Sequence, residues 1–328
     1  MGVRIRTETE IKKATRYKDI FSNNKDIAKK EYREYCKLYH PDSNNSDLAR
    51  ELFDKISKIY NEGTTEIEVK FINKSTGKGF ILTNPVIIQN GIGTVYHTDT
   101  KVAITMHKTY EKFFKNYINN VKQLKYKDKE MEKEFKRYFP DIVNSFLMED
   151  DNYCILLNKT KEVLNLGKIL DSYKAKGELF PEKQAAWILN RLYNLSCYMQ
   201  YNGWVFNGFD INNVWVSPEY HAVLLLDGWQ YKSDIGDGLF GCPKDVYKVM
   251  PIKIKTGKTS ETGTDIESIR AIGRKLFAGH KGLKYINKFL DSAVNKYDSW
   301  EDWNLYQEAL TAEFGDRKFI VWDNVPYN

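Results

Sequence analysis

Cysteine and histidine are the residue types that would indicate a metal centre or a disulfide framework, and neither is arranged in that way. The four cysteines, Cys36, Cys154, Cys197 and Cys242, are scattered along the chain and form no C-x-x-C pair. Four histidines also lack the spacing of metal ligands: His97, His107, His221 and His280. The sequence therefore argues against a zinc site and against a disulfide scaffold.

Two glycines and an aspartate are of residue types that phosphate chemistry uses. Gly91 and Gly93 lie between two β-rich runs, and Asp227 precedes a glycine after an apolar run. Phosphoryl transfer requires a lysine on the phosphates, a carboxylate near the attacking hydroxyl and ligands for a metal ion. The glycines also fit a plain hairpin turn, and Asp227 also fits an Asp-Gly turn after a buried strand, so both interpretations stay open.

The elements that must position such residues begin with two helices between Asp26 and Glu62. Apolar residues recur at helical spacing at Ala28, Tyr32, Tyr35, Cys36 and Tyr39, and again at Leu48, Leu52, Phe53, Ile56 and Ile59 or Tyr60. Pro41 ends the first helix, because the residue before a proline is pushed out of the helical region. The pattern predicts an antiparallel helical hairpin.

The outer surface of the first helix is basic, with Lys29, Lys30, Arg33 and Lys37 lying away from the apolar stripe. Such a face would steer association with an acidic partner and make that association sensitive to salt. The triplet His40-Pro41-Asp42 closes the helix. A surface histidine beside a helix-ending proline is the plainer interpretation of it.

The triplet and its two helices together resemble a J-domain, the co-chaperone module that engages DnaK-type heat-shock chaperones. The resemblance covers roughly residues 14–62 and depends on the runs KKEYREYCKLYHPD and FDKISKIYNE. It implies that His40, Pro41 and Asp42 contact the chaperone and trigger its ATP hydrolysis, while the basic helix docks on an acidic surface. The four-cysteine zinc repeat and the Gly/Phe-rich segment of the family are absent, which favours a specialised client protein.

The order of elements after the hairpin predicts an α+β, two-lobed domain. Strand signals occur from residue 65, over 79–83 and over 85–89, and a charged helical stretch from Tyr110 to Phe139 ends at Pro140. From Phe180 onward the chain becomes mostly helical, with one small hairpin.

This layout resembles the protein-kinase fold over roughly residues 66–315. VYHTDTKVAIT is similar to the strand after a kinase glycine loop, and FPDIVNSFLMED to the segment after helix C. NGFDINNVWV followed by VLLLDGW resembles the catalytic loop and the metal-binding DFG region. TDIESIRAIGRKLFAG resembles the central helix of the C-lobe, which implies that Asp265 is its buried anchoring residue.

Carried over residue by residue, the resemblance implies an incomplete nucleotide site. Gly91 and Gly93 match the first two glycines of the loop, and the third is absent. The strand lysine falls on Thr105, and the helix C glutamate falls on Glu130. Glu130 is therefore a nucleotide-site candidate without its usual lysine partner.

The catalytic side is also incomplete. Gly208 stands where the catalytic aspartate would be, whereas Asn213 and Asp227 match the metal ligands. We therefore expect a pseudokinase that serves as a platform for a client or partner, with ATP and magnesium bound weakly if at all. The alternative is an atypical active Ser/Thr kinase that uses Asp210 and Lys108 and is localised by its J-domain.

Length and composition agree with two folded domains. The chain has 328 residues, 42% hydrophobic and 14% aromatic, with a formal net charge of +6, which excludes a disordered chain and does not demand nucleic acid. We predict a J-domain over 1–63 and a kinase-like domain over 64–328, with the N-lobe at about 64–158 and the C-lobe at about 159–328. No apolar run is long enough to span a membrane, so we expect a soluble, cytoplasmic protein with a DnaK-type chaperone and a client as partners.

Overall fold

The computed structural model describes residues 4–22, 24–64, 67–316, 321–322 and 325–327. The chain divides into two compact units, Met1–Glu68 and Val69–Asn328. Each unit has a hydrophobic core of its own.

The described part of the first unit is built from helices. These are α1 (Glu8–Lys13), α2 (Tyr17–Ile20), α3 (Lys25–Tyr39) and α4 (Asp47–Thr64). The side chain of Asn24 caps α3 by accepting hydrogen bonds from the amides of Asp26 and Ile27. Helix α3 ends at His40, where Pro41 follows and prevents another helical turn.

Aromatic and aliphatic side chains from all four helices form the first core. Its buried members are Ile11, Ala14, Ile20, Phe21, Ala28, Tyr35, Leu52, Ile56 and Ile59. The expectation that Leu48 is buried is wrong, because its side chain is 36% exposed. The buried stripe of α4 begins instead at Ala49, which shares a helical face with Leu52 and Ile56.

Helices α3 and α4 run antiparallel. Near one end of the pair, the rings of Tyr32 and Tyr60 stack with centroids 3.9 Å apart, and the hydroxyls of Tyr32 and Ser57 lie 3.2 Å apart. At the other end, the ring of His40 packs edge-on against Phe53 at 5.0 Å. The loop between the helices therefore holds His40 beside the start of α4.

The second unit contains a five-stranded antiparallel sheet with the order β3-β4-β5-β7-β6. The longer strands are β1 (Glu68–Ile72), β2 (Gly79–Thr83), β3 (Val86–Gln89), β4 (Gly93–His97), β5 (Lys101–His107), β6 (Asp141–Leu147) and β7 (Asn152–Asn158). Strands β1 and β2 form a separate two-stranded sheet. In the large sheet, His97 pairs with Val86 on one side and with Val102 on the other.

Helices dominate the rest of this unit. They are α5 (Glu111–Lys122), α6 (Lys129–Phe135), α7 (Leu166–Ala175), α8 (Glu182–Tyr201), α9 (Lys244–Val249), α10 (Ile252–Gly257), α11 (Gly263–Leu276), α12 (Lys284–Asp291) and α13 (Ser299–Phe314). The short strands among them are β8 (Leu164–Asn165), β9 (Trp204–Val205), β10 (Val214–Ser217), β11 (Ala222–Leu225) and β12 (Ser233–Asp234). The mixed helical and β composition that the sequence predicts is thus confirmed.

The prediction of one helical stretch from Tyr110 to Phe139 is wrong. The stretch divides into α5 and α6, because the side chain of Asp128 caps a new helix by accepting a hydrogen bond from the amide of Met131. Between the two helices, the ring of Tyr126 packs against Tyr198 at 6.3 Å.

One continuous core joins the sheet to the helices of the second unit. Val95, Ile104 and Met106 contribute one face of the sheet, and Leu192 of α8 and Ile269 of α11 contribute the helical side. All five side chains are at most 1% exposed. The sheet and the helical part are therefore packed directly against each other.

None of the described helices has both the length and the apolar character that a bilayer crossing requires. The longest of them, α8, has 20 residues and includes Glu182, Lys183 and Arg191.

Candidate functional site

The first candidate site is the tip of the α3–α4 hairpin, which backbone hydrogen bonds hold in shape. The amide of His40 donates to the carbonyl of Cys36, and its carbonyl accepts from the amides of Ser43 and Asn44 at 2.8 and 2.9 Å. The imidazole Nδ1 accepts from the Asp42 amide at 3.2 Å. The side chains of His40 and Asp42 are 42% and 90% exposed, so both can reach a partner molecule.

A cationic surface adjoins this tip. Lys29, Lys30, Arg33 and Lys37 are all exposed on α3. Lys37 forms an ion pair with Glu34 at 2.6 Å, whereas the other three have no carboxylate partner among the residues that the structure describes. The arrangement presents uncompensated positive charge beside an exposed histidine and aspartate.

The second candidate site surrounds Asp227, and the β3–β4 hairpin closes directly on it. The side-chain amide of Asn90 donates to Asp227 Oδ2 at 2.8 Å, and the amide of Gly228 donates to Oδ1 at 2.7 Å. Asp227 is fully buried, and this burial raises the pKa of its carboxyl group. Each oxygen of this carboxylate therefore accepts one hydrogen bond from the chain.

The two glycines of this hairpin have structural roles. Gly91 has φ +85°, a conformation that a two-residue hairpin turn requires and glycine adopts readily. Gly93 is the first residue of β4, and a Cβ there would lie 1.7 Å from the Thr105 carbonyl oxygen. The structure places both residues in a tight hairpin rather than in a long phosphate-binding loop.

Asn213, the other predicted metal ligand, is also engaged by the protein. Its side-chain amide donates to the carbonyl of Gly208 at 3.0 Å, and its own amide donates to the carbonyl of Asp210 at 2.9 Å. Asn213 is 3% exposed. Asn213 and Asp227 are therefore both held by hydrogen bonds within the chain, while the side-chain oxygen of Asn213, the atom that would ligate a cation, takes no part in these bonds.

Gly208, which the sequence resemblance aligned with a catalytic aspartate, has no space for a side chain. A Cβ on Gly208 would lie 2.8 Å from the carbonyl oxygen of Gly228 and 3.0 Å from the ring of Phe206. The loop therefore packs against the Asp227-Gly228 segment more tightly than any side chain at position 208 would permit.

Asp265 holds the loop that contains Gly208 through hydrogen bonds to its backbone. It lies near the start of α11, is 1% exposed, and accepts hydrogen bonds from the amides of Phe206 and Asn207 at 2.8 Å each. Burial raises the pKa of its carboxyl group to about 7, and the two amides oppose that rise. Asn207 needs the anchor, because its φ of +55° is unfavourable for a residue with a side chain.

Thr105, the residue that the sequence aligned with the strand lysine, does not lie on the face of β5 that packs on the main core. Val102, Ile104 and Met106 face the main core, whereas Thr105 points to the other face and donates to the carbonyl of Thr94 at 3.1 Å. The inward face of the strand is therefore aliphatic. The conclusion that a phosphate-binding lysine is missing from this strand is unchanged.

Glu130 is not part of the site. It is exposed on α6, whereas α5 is the helix that packs on the segment after Asp227. Two side-chain amides of α5 hold that segment. Asn116 Nδ2 donates to the carbonyl of Gln230 and Asn120 Nδ2 donates to the carbonyl of Trp229, each at 2.8 Å. Asn116 and Asn120 are one helical turn apart in the sequence, and this spacing could have indicated the face of α5 that contacts the segment. The assignment to Glu130 overlooked that spacing.

The pair proposed for an active kinase, Asp210 and Lys108, is not brought together. Lys108 forms an ion pair with Asp151 at 2.9 Å in the β6–β7 turn. Asp210 is 8% exposed and accepts a hydrogen bond from the Asn212 amide at 2.9 Å. Burial raises the pKa of Asp210, but no lysine of β5 lies opposite it.

Trp215 is a buried aromatic residue that sequence reasoning missed. Its ring is fully buried and packs edge-on against His97 at 4.9 Å. The hydroxyl of Tyr327 lies 2.7 Å from Nε2 of His97. His97 is at the end of β4 away from the Asn90 turn, so these contacts pack that end of the sheet against β10.

No protein-family model matches the chain, and no curated protein sequence is similar to it. The solved structure of vaccinia related kinase 3 is similar with a TM-score of 0.49 and 13% identity, over 74% of this chain and 90% of that chain. The BubR1 kinase domain is similar with a TM-score of 0.49 and 10% identity, over 76% of this chain and 83% of that chain. Identities this low carry no information about activity.

Proposed function

We propose that the protein is a co-chaperone. Its first unit is a J-domain that engages a DnaK-type chaperone and stimulates ATP hydrolysis by it. Its second unit is a kinase-like pseudokinase that binds a client or partner protein and transfers no phosphate. The single observation that supports this most is the exposed His40-Pro41-Asp42 tip at the end of a helix whose Lys29, Lys30 and Arg33 have no acidic partner among the described residues.

The tip has the properties of a protein-binding element rather than of a catalytic centre. Among the described residues, the partners of His40 are Asp42 and backbone groups, and they include no serine, threonine or cysteine side chain that could act as a nucleophile. Its position is fixed by the end of α3 and by the ring of Phe53. A rigid, exposed polar triplet next to positive charge suits recognition of an acidic protein surface.

Geometry also supports a kinase-like but inactive second unit. A five-stranded antiparallel sheet packs on a helical part, and a buried aspartate, Asp265, holds the loop that precedes Asn213. Catalysis would require a lysine on the phosphates and a carboxylate near the acceptor hydroxyl. Position 208 has no space for that carboxylate, and Asn90 closes the site over Asp227.

The test of the chaperone interaction is association of the full chain with a DnaK-type chaperone in the presence of ATP. Reversing two charges of the basic face, with Lys30→Glu and Arg33→Glu, is expected to weaken association by about tenfold at low salt. Lys13→Glu with Lys58→Glu changes the charge of the same unit equally and is the control. Equal effects of the two pairs would contradict a specific role for the basic face.

The pseudokinase part is tested by thermal unfolding with millimolar MgATP. A ligand at a hundred times its dissociation constant stabilises a protein by about 2.7 kcal/mol, which is an easily measured shift. We expect no shift, because Asn90 and Gly228 already occupy the carboxylate of Asp227. Phosphate transfer from radiolabelled ATP that Asp227→Ala abolishes would refute this part.

A further inference from the structure

A groove in the second unit lies beside helix α6. It has a volume of about 830 Å³ and runs between α6 and the residues that follow β7. Small-molecule and peptide sites commonly occupy about 300–1,000 Å³. We call it the α6 groove, defined by Lys129, Lys133 and Lys136 on one wall and Phe139, Pro140 and Leu224 at its floor.

Positive charge lines one wall of the α6 groove. Lys129 and Lys133 are one helical turn apart, which places their side chains about 6 Å from each other on one face of α6. Both are exposed, and neither has a carboxylate partner within the described ranges of the chain. Their charges are available to a ligand.

The carboxylates that line the groove are already engaged. Glu132 forms an ion pair with Lys136 at 3.2 Å, and Asp141 accepts a hydrogen bond from the side-chain amide of Asn158 at 2.7 Å. At the far end, the ammonium group of Lys159 donates to backbone carbonyls, among them that of Val163 at 2.9 Å. The groove therefore keeps a net positive potential.

The floor of the groove has the opposite character. Phe139, Leu224 and Leu226 line it and are at most 8% exposed, and Pro140 and Val163 adjoin them. A ligand that satisfies both surfaces must carry negative charge along one side and apolar groups along the other.

We propose that the α6 groove binds an extended acidic segment of a partner protein in which acidic and apolar residues alternate. Side chains two residues apart in an extended peptide lie on one side, about 6.6 Å apart, which matches the spacing of Lys129 and Lys133. The intervening apolar side chains then face the floor. The proposal rests on the proposed function of the second unit as a binding platform, and it names the surface and the chemistry of the partner.

An acidic peptide fits this groove better than a nucleic acid does. Binding of single strands depends on aromatic rings that are free to stack on bases. The nearby rings of Tyr126 and Phe135 are instead packed against Tyr198, at 6.3 and 5.3 Å.

The experiment measures fluorescence anisotropy of a short labelled peptide of alternating glutamate and leucine, titrated with the full chain at low salt. Lys129→Glu with Lys133→Glu is expected to weaken binding by about tenfold or more. Lys174→Glu with Lys176→Glu, at exposed positions at the end of α7, makes the same change in net charge and is expected to alter binding by less than about twofold. A peptide with lysine in place of glutamate should not bind.

Absence of peptide binding, equal loss in both double variants, or tighter binding of an oligothymidylate would overturn the proposal. All four substitutions are at exposed positions. Circular dichroism of each variant would check that it is folded. The assay contains no chaperone and no ATP. Its result is therefore separate from whether the first unit stimulates an ATPase.

Discussion

Gly208 lies so close to the Asp227-Gly228 segment that a side chain there must displace the backbone. We therefore expect Gly208→Ala to destabilise the second unit by about 1–3 kcal/mol, the usual cost of overpacking a buried site. Gly238→Ala is the matched control, since no atom lies within 4 Å of a Cβ at that position. Urea unfolding of both variants provides the measurement.

A Gly208→Asp variant extends the same test to chemistry. Restoring the residue type that catalysis requires should not restore phosphate transfer, because the strand lysine is still missing and Asn90 still covers Asp227. If Gly208→Ala were as stable as the wild type, the close packing of this loop would be refuted.

Asp265 makes stability depend on pH in a defined window. Its pKa is about 7 in the folded chain against 3.8 for an ordinary aspartate, so the folded state retains a proton that the unfolded state has released. The free energy of unfolding should therefore fall as pH rises from about 4 to about 7, by at most about 1.4 kcal/mol per pH unit.

The variant Asp265→Asn isolates this contribution. It removes the titration and also leaves a backbone amide at residue 206 or 207 without a good acceptor, which costs about 1–3 kcal/mol. The stability difference between the wild type and the variant should be larger at pH 5 than at pH 7.5 in urea unfolding. A difference that grows with pH would contradict the buried, proton-retaining state of Asp265.

Much of the residue-level site could not be predicted from the sequence. Asn90 and Asp227 are 137 positions apart, and no local pattern indicates that they form a hydrogen bond. The burial of Asp265 was expected from the resemblance of its helix to the central C-lobe helix of the protein kinases, and its side chain is 1% exposed. The contact of Asn90 with Asp227 depends on tertiary packing, which sequence spacing does not encode.

At the scale of elements, α5 is the helix that holds the segment after Asp227. Asn120 is 5% exposed and donates to the carbonyls of Trp229 and Lys232 at 2.8 and 3.2 Å. We expect Asn120→Ala to destabilise the second unit by about 1–3 kcal/mol, because it leaves buried carbonyl groups without this donor.

Asn119→Ala is the control for that prediction. Asn119 precedes Asn120 on the same helix and is exposed, so its truncation should change stability by less than about 0.5 kcal/mol. Equal unfolding midpoints for the two variants in urea would show that α5 is not fixed through Asn120.

Elements were predicted where pattern and turn chemistry agreed. The strand expected over 79–83 is β2, and the end of α3 before Pro41 follows from the restriction that proline imposes. The stretch over 110–139 was misjudged because its charge pattern is continuous, whereas the break depends on a capping aspartate and on an aromatic contact across the fold.

At the scale of the whole molecule, the two units offer different kinds of surface. The first presents an exposed polar tip and a basic helix, and the second buries Asp227 against the β3–β4 hairpin. Composition and length indicated enough apolar residues for two cores. The roles of the units in binding a chaperone and a client stay predictions, since no sequence pattern identifies a partner.

The most direct measurement is single-turnover ATP hydrolysis by a DnaK-type chaperone with the full chain added. We predict that the wild type accelerates hydrolysis and that His40→Gln, which alters only the exposed tip of α3, does not. His107→Gln changes an exposed histidine of the second unit and should retain the full acceleration. Equal acceleration by the wild type and by His40→Gln, or none by the wild type, would contradict the assignment of the first unit as a working J-domain.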